Sequence, residues 1–172
     1  MDKYQLLQNI YNIAAELNCD VEFTYDLSGM MYVEENPPRI EIPKDHFWTG
    51  ESLEKAYAVS LHELGHVYHG HTQGRPPYLN KVHYFTNGVL KSEAEAWKFA
   101  LENSIVDWSE ETKKFALNRC LMSYYEGAQL DKGRTDCRLY NGNRHHYAFT
   151  WDNPDEYFWN IAKELGYDNE AV

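Results

Sequence analysis

An α+β fold is predicted for this chain: an N-terminal helix, a small three-stranded sheet, then a helical core with further C-terminal helices. Two observations predict it. Segments with strand-like alternation are confined to roughly residues 19–43, and helical periodicity dominates the chain beyond them. Strands and helices kept apart in this way are the mark of an α+β arrangement. At 172 residues the chain is the size of one domain, and a hydrophobic content of 43% is enough for a core.

Leu6, Ile10, Ile13, Ala14 and Leu17 fall on one face, so residues 3–18 read as an amphipathic helix. "CDVEFTYDL" alternates, with Val21, Phe23 and Tyr25 on one side of a strand. A turn at Ser28–Gly29 leads to a second strand in "MMYVEE", and "PPRIEIPK" holds a third, short one. "RIEIP" (Arg39–Pro43) is expected at the sheet edge beside the next helix, where an extended peptide could add by backbone hydrogen bonds. The helix in "SLEKAYAVSLHELGHVYHGH" takes Ser52 as its N-cap, with Glu51 and Glu54 near its positive end. "KSEAEAWKFALENSIVDW" is the next helix, with Ser92 and Glu95 spaced as a capping box. "SEETKKFALNRCLMSYYEG" predicts another, residues 131–153 read as irregular, and "NPDEYFWNIAKELG" predicts a short closing helix.

The net charge of −11 argues against a broad phosphate-binding role. Lys132, Arg134, Arg138 and Arg144, interleaved with Tyr140 and Tyr147, form the densest basic stretch, but Asp131 and Asp136 dilute it, so nucleic acid is not the expected partner. Three scattered cysteines without a CxxC spacing argue against a disulfide scaffold or a thiolate zinc site and fit a reducing compartment. Neither a signal peptide nor a membrane span is expected, which points to the cytoplasm.

The densest chemistry lies in "HELGHVYHGH". His62 and His66 stand one helical turn apart, so both rings project from one face and can share one zinc ion. Glu63 sits at the edge of that face, placed to take a proton from an attacking water and pass it to a leaving amine. Gly65, costly inside a helix by about 1 kcal/mol relative to Ala, implies a close approach there. A catalytic zinc site needs a third protein ligand. A histidine six residues after His66 would supply one, but that position is Thr72. His69 and His71, on a continuing helix, turn roughly 60° or more away at about 100° per residue and read as solvent-facing. Glu93 shares a face with Ala96, Trp97 and Ala100, whose small residues admit a neighbouring helix. Glu95 lies on the other side and reads better as a capping or solvent residue, though the choice between Glu93 and Glu95 stays open.

"HELGHVYHGH", followed 27 residues after His66 by "SEAEAWKFA", resembles the ImmA/IrrE-type metallopeptidase domain, one of the gluzincin-like zincins. The likeness covers about residues 1–110, leaving about 110–172 as a helical extension of a single metallopeptidase-like domain. It implies a zincin-like helical core, Zn2+ bound by His62, His66 and Glu93, and Glu63 as catalytic base. It also implies hydrolysis of a protein substrate such as a transcriptional repressor, in a stress, mobile-element or phage setting. The chain departs from the family at Trp97, where Asn or Asp usually supports a ligand from behind. For the oxyanion, Arg144, His145, His146 and Tyr147 form a polar loop cluster able to supply donors. The alternative is a non-catalytic zincin-like module that binds a partner protein or DNA.

Overall fold

The computed structural model describes residues 2–25, 31–33, 35–44, 53–70, 87–116 and 163. It is mixed helix and strand, as expected. Helix α1 spans Lys3–Glu16; strands β1, β2 and β3 span Asp20–Thr24, Met31–Val33 and Arg39–Pro43; helices α2, α3 and α4 span Leu53–Tyr68, Asn87–Asn103 and Glu110–Phe115. The chain divides into two compact units. One comprises Met1–Gln73 and Glu95–Thr112; the other comprises Gly74–Ala94 and Lys113–Val172.

The Asp2 carboxylate caps α1 by accepting from the Tyr4 N–H at 2.9 Å. The helix buries Leu6, Leu7, Ile10 and Ala14, a single stripe at helical spacing. It stops where Asn18 turns left-handed (φ 50°), a conformation Asn tolerates through its short polar side chain. The Cys19 N–H then returns to the Ala14 carbonyl at 2.8 Å. Burial pushes the Cys19 thiol up to about 11, so it stays protonated at neutral pH.

β1 and β3 pair in parallel, Asp20 opposite Arg39 through Thr24 opposite Pro43. β2 runs antiparallel to β3, with Tyr32 opposite Ile40. "RIEIP" is therefore the inner strand and not the edge. Its alternation suits that place. Ile40 and Ile42 are fully buried, each contributing about 1.5–3 kcal/mol. On the opposite face Arg39 joins Glu22, Glu35 and Glu41. Glu22 and Glu41 are register partners, and the guanidinium offsets two like charges held side by side. β1 is less buried than its pattern suggests. Val21 and Phe23 are half-buried, and Tyr25 lies past the strand, 84% exposed, with its hydroxyl taking a hydrogen bond from Lys44 at 2.8 Å.

Helix α2 packs on α1, β2 and β3. Its buried positions are Ala56, Tyr57, Ala58, Ser60, Leu61, His62, Leu64 and Gly65. Helical spacing alone puts Ala56, Val59, Ser60, Glu63 and Val67 on one face; of these Ala56 and Ser60 are buried and the other three half-buried. It ends at Tyr68 because Gly70 adopts φ +62° and returns its N–H to the Val67 carbonyl at 3.0 Å. The sequence pattern carries the helix on past Tyr68, but His69 and Gly70 form a turn; His71 lies outside the described residues.

Helix α3 starts five residues ahead of Ser92, so Ser92 and Glu95 are interior positions and not a capping box. It also ends at Asn103, short of the "SIVDW" segment. There Ser104 Oγ donates to the Val106 carbonyl (2.7 Å) and accepts from Trp108 Nε1 (3.0 Å). α4 opens on Ser109, whose Oγ accepts from the Thr112 N–H at 3.2 Å. Glu54 of α2 in turn accepts from the Ser109 N–H and hydroxyl at 2.6 and 2.8 Å. Of the closing helix only Lys163 is described, and it is helical. Among the described residues, no helix is long and apolar enough to cross a membrane.

Candidate metal centre

The motif half of α2 is set against α3 by a contact of unusual closeness. A Cβ added at Gly65 would stand 2.7 Å from the Ala96 carbonyl oxygen and 2.8 Å from Ala96 Cα. Only glycine fits against that backbone, which is the close approach its presence in the helix implied. Ala96 and Ala100 are fully buried, the small residues that let α2 come so near.

With the spacing set, the two histidines one turn apart converge. His62 Nε2 and His66 Nε2 are 3.1 Å apart, with ring centroids at 4.6 Å and ring planes at 80°. His62 is buried and His66 half-buried. A nitrogen pair at this distance has two physical readings. One ring can donate an N–H to the lone pair of the other. Alternatively both lone pairs can point at one cation. Two nitrogens bound to one zinc ion at about 2.0–2.1 Å in a tetrahedral array stand roughly 3.3 Å apart, so the pair fits that edge.

Glu93 lies one turn ahead of Trp97 on the unbroken α3 helix. His62, His66 and Glu93 form a group able to hold a metal ion, each offering one ligand atom, all within 4.8 Å of one another. Among the described residues this is the group that emerges, and it contains Glu93 and not Glu95. Two neutral imidazoles and one carboxylate are a donor set that zinc accepts in catalytic sites, with a fourth position open. Glu63, adjacent to His62 and half-buried, is outside the group. His69 is exposed with its ring edge-on to Tyr68, as its solvent-facing reading expected.

Trp97 is the feature whose role spacing alone did not reveal. It is 1% exposed, and its indole face stacks on the His62 ring at 4.3 Å with planes 30° apart. Its other neighbour is Trp108, edge-on at 6.1 Å and 89°. The Trp97 Nε1 donor is buried without a hydrogen-bond acceptor among the described residues. Such a donor costs about 1–3 kcal/mol, which points to the ring face as the useful part of this side chain. Arg144, His145, His146, Tyr147 and the basic stretch from Lys132 to Arg144 lie outside the described residues, as do Ser52, His71 and Thr72.

No family model, no curated protein and no solved structure matches the chain.

Proposed function

We propose that the chain is a zinc-dependent metallopeptidase of the ImmA/IrrE-like, zincin type, working in the cytoplasm on a protein substrate. The proposal includes a small three-stranded sheet beside a zincin-like helical core. The observation that carries it is the convergence of His62 and His66 at 3.1 Å with Glu93 completing the group. In the proposed site His62, His66 and Glu93 hold one Zn2+. When bound, that ion would polarise a peptide carbonyl and make water a nucleophile near neutral pH. Glu63, beside His62 and outside the ligand group, takes the proton from water and returns it to the departing amine. An extended substrate would lie along the outer edge of β2 by backbone hydrogen bonds, since β3 is paired on both sides. His145, His146 and Tyr147 remain the proposed donors to the oxyanion.

The competing reading is a non-catalytic module that uses the same group to hold its shape while it binds a partner protein or DNA. The presence of Trp97 against His62 in place of a hydrogen-bonding residue favours it. Glu63→Gln separates the two. The metallopeptidase reading expects zinc content unchanged and cleavage of a protein substrate reduced by about 10²–10⁴-fold, the worth of a positioned general base. Unchanged biological activity in the variant would select the binding module.

A further inference from the structure

We infer that Trp97 is a positioning residue for the metal-binding ring of His62, acting through its indole face; the inference rests on the proposed metal site. Three observations lead to it. First, the indole and imidazole are stacked at 4.3 Å and 30°, a face-to-face contact that limits rotation of the His62 ring about its bond to Cβ. Second, the stack is itself fixed. Trp108 stands edge-on to Trp97 and is tied through its Nε1 to Ser104 Oγ at 3.0 Å, so Ser104, Trp108, Trp97 and His62 form one braced column. Third, the Gly65–Ala96 backbone contact sets the gap between α2 and α3 one residue before Trp97 and three after His62. The ring on α3 therefore meets the ring on α2 at a defined height.

The physical consequence is pre-organisation. A ligand ring free to rotate must be ordered when the ion binds, and that ordering subtracts from affinity. Metal-ligating histidines are ordinarily oriented by a hydrogen-bonding partner behind the ring. Here a stacked aromatic face supplies a restraint of the same kind. The orphan indole N–H fits this assignment, because the contact uses the face of Trp97 and not its donor.

The test uses the full chain, zinc as the ligand and a chromophoric chelator as competitor, with folding of each variant checked by circular dichroism. Trp97→Leu keeps an apolar side chain but removes the planar face; Trp97→Phe keeps a face and removes the N–H. The expected result is a zinc affinity 10–100-fold weaker for Trp97→Leu, the usual cost of losing an orienting partner, and restored to within about threefold of native for Trp97→Phe. A folded Trp97→Leu that binds zinc like the native chain overturns the inference, and so does equal weakening in both variants. Should Trp97→Leu not fold, Co2+ decides. Loading with Co2+ quenches a component of tryptophan emission in the native chain, and that component is missing in Trp97→Phe. A cobalt-loaded native chain with the same quenching as Trp97→Phe overturns the inference. A native chain that takes up neither ion overturns the metal site and this inference together, whereas native zinc binding with an indifferent Trp97→Leu overturns the inference alone.

Discussion

The two halves of α2 use their polar side chains in opposite ways. In the first half each polar group is spent on holding the fold. The fully buried Tyr57 hydroxyl accepts from Asn9 Nδ2 at 2.7 Å and from the Ile105 N–H at 3.1 Å, joining α1 to the segment after α3. Ser60 Oγ donates to the Ala56 carbonyl at 2.8 Å, and Glu54 caps the start of α4. In the second half two imidazoles are aimed at one another, with a carboxylate in the same group. Two imidazoles and a carboxylate gathered in this way could hold a metal ion.

Gly65→Ala breaks this separation, because Gly65 lies in the motif half yet sets the packing of α2 on α3. The added methyl would meet the Ala96 backbone below 3 Å, and backbone cannot swing aside as a side chain can. The expected loss is about 3 kcal/mol, at the upper end of overpacking, read as a shift of the urea midpoint, with zinc affinity falling in step. A variant with native stability would mean that α2 and α3 are not in contact as described.

Tyr57→Phe sharpens the comparison. It leaves the Asn9 amide and the Ile105 N–H without their shared acceptor, which costs about 1–3 kcal/mol. Zinc content should not change, because the Tyr57 hydroxyl that is lost bonds to Asn9 and the Ile105 N–H. Loss of metal on this substitution would show that the halves are not separable.

The smallest effect is at Glu54. Partial burial alone would raise its pKa, but hydrogen bonds from the Thr112 and Ser109 hydroxyls and the Ser109 N–H, with Lys55 nearby, bring it below the ordinary carboxylate value. A carboxylate whose pKa is depressed by folding adds stability above its unfolded value and loses it as pH falls through the folded one. Acid unfolding of the native chain should therefore be steeper below about pH 4 than that of Glu54→Gln, with a difference under about 1 kcal/mol at neutral pH because the group is largely solvated. Parallel acid profiles would show that this cap carries no charge-dependent stability.

The convergence of His62 and His66 was legible in the sequence because it depends on local spacing: they are one turn apart in any straight helix. The choice between Glu93 and Glu95 was open on spacing, and the grouping contains Glu93. The spacing of Gly65 likewise pointed to a close neighbour, though not to Ala96. Helix ends were less legible, because they are decided by partners distant in the chain. "SIVDW" continues an apolar helical pattern, yet α3 stops at Asn103. There the Asn103 carbonyl accepts from Asn9 and the Ile105 N–H turns to Tyr57, bonds that span 94 and 48 residues. Ser92 and Glu95 match a capping box, but nothing breaks the helix before them. The place of β3 inside the sheet comes from a parallel pairing across the intervening β2, which alternation cannot reveal.

The most direct measurement is zinc content by elemental analysis of untagged protein, native chain beside Glu93→Ala and Glu95→Ala. The account predicts about one zinc per native chain and per Glu95→Ala chain, with most of it lost from Glu93→Ala. Native protein holding less than about a tenth of an equivalent, or zinc lost from Glu95→Ala and kept by Glu93→Ala, would contradict it.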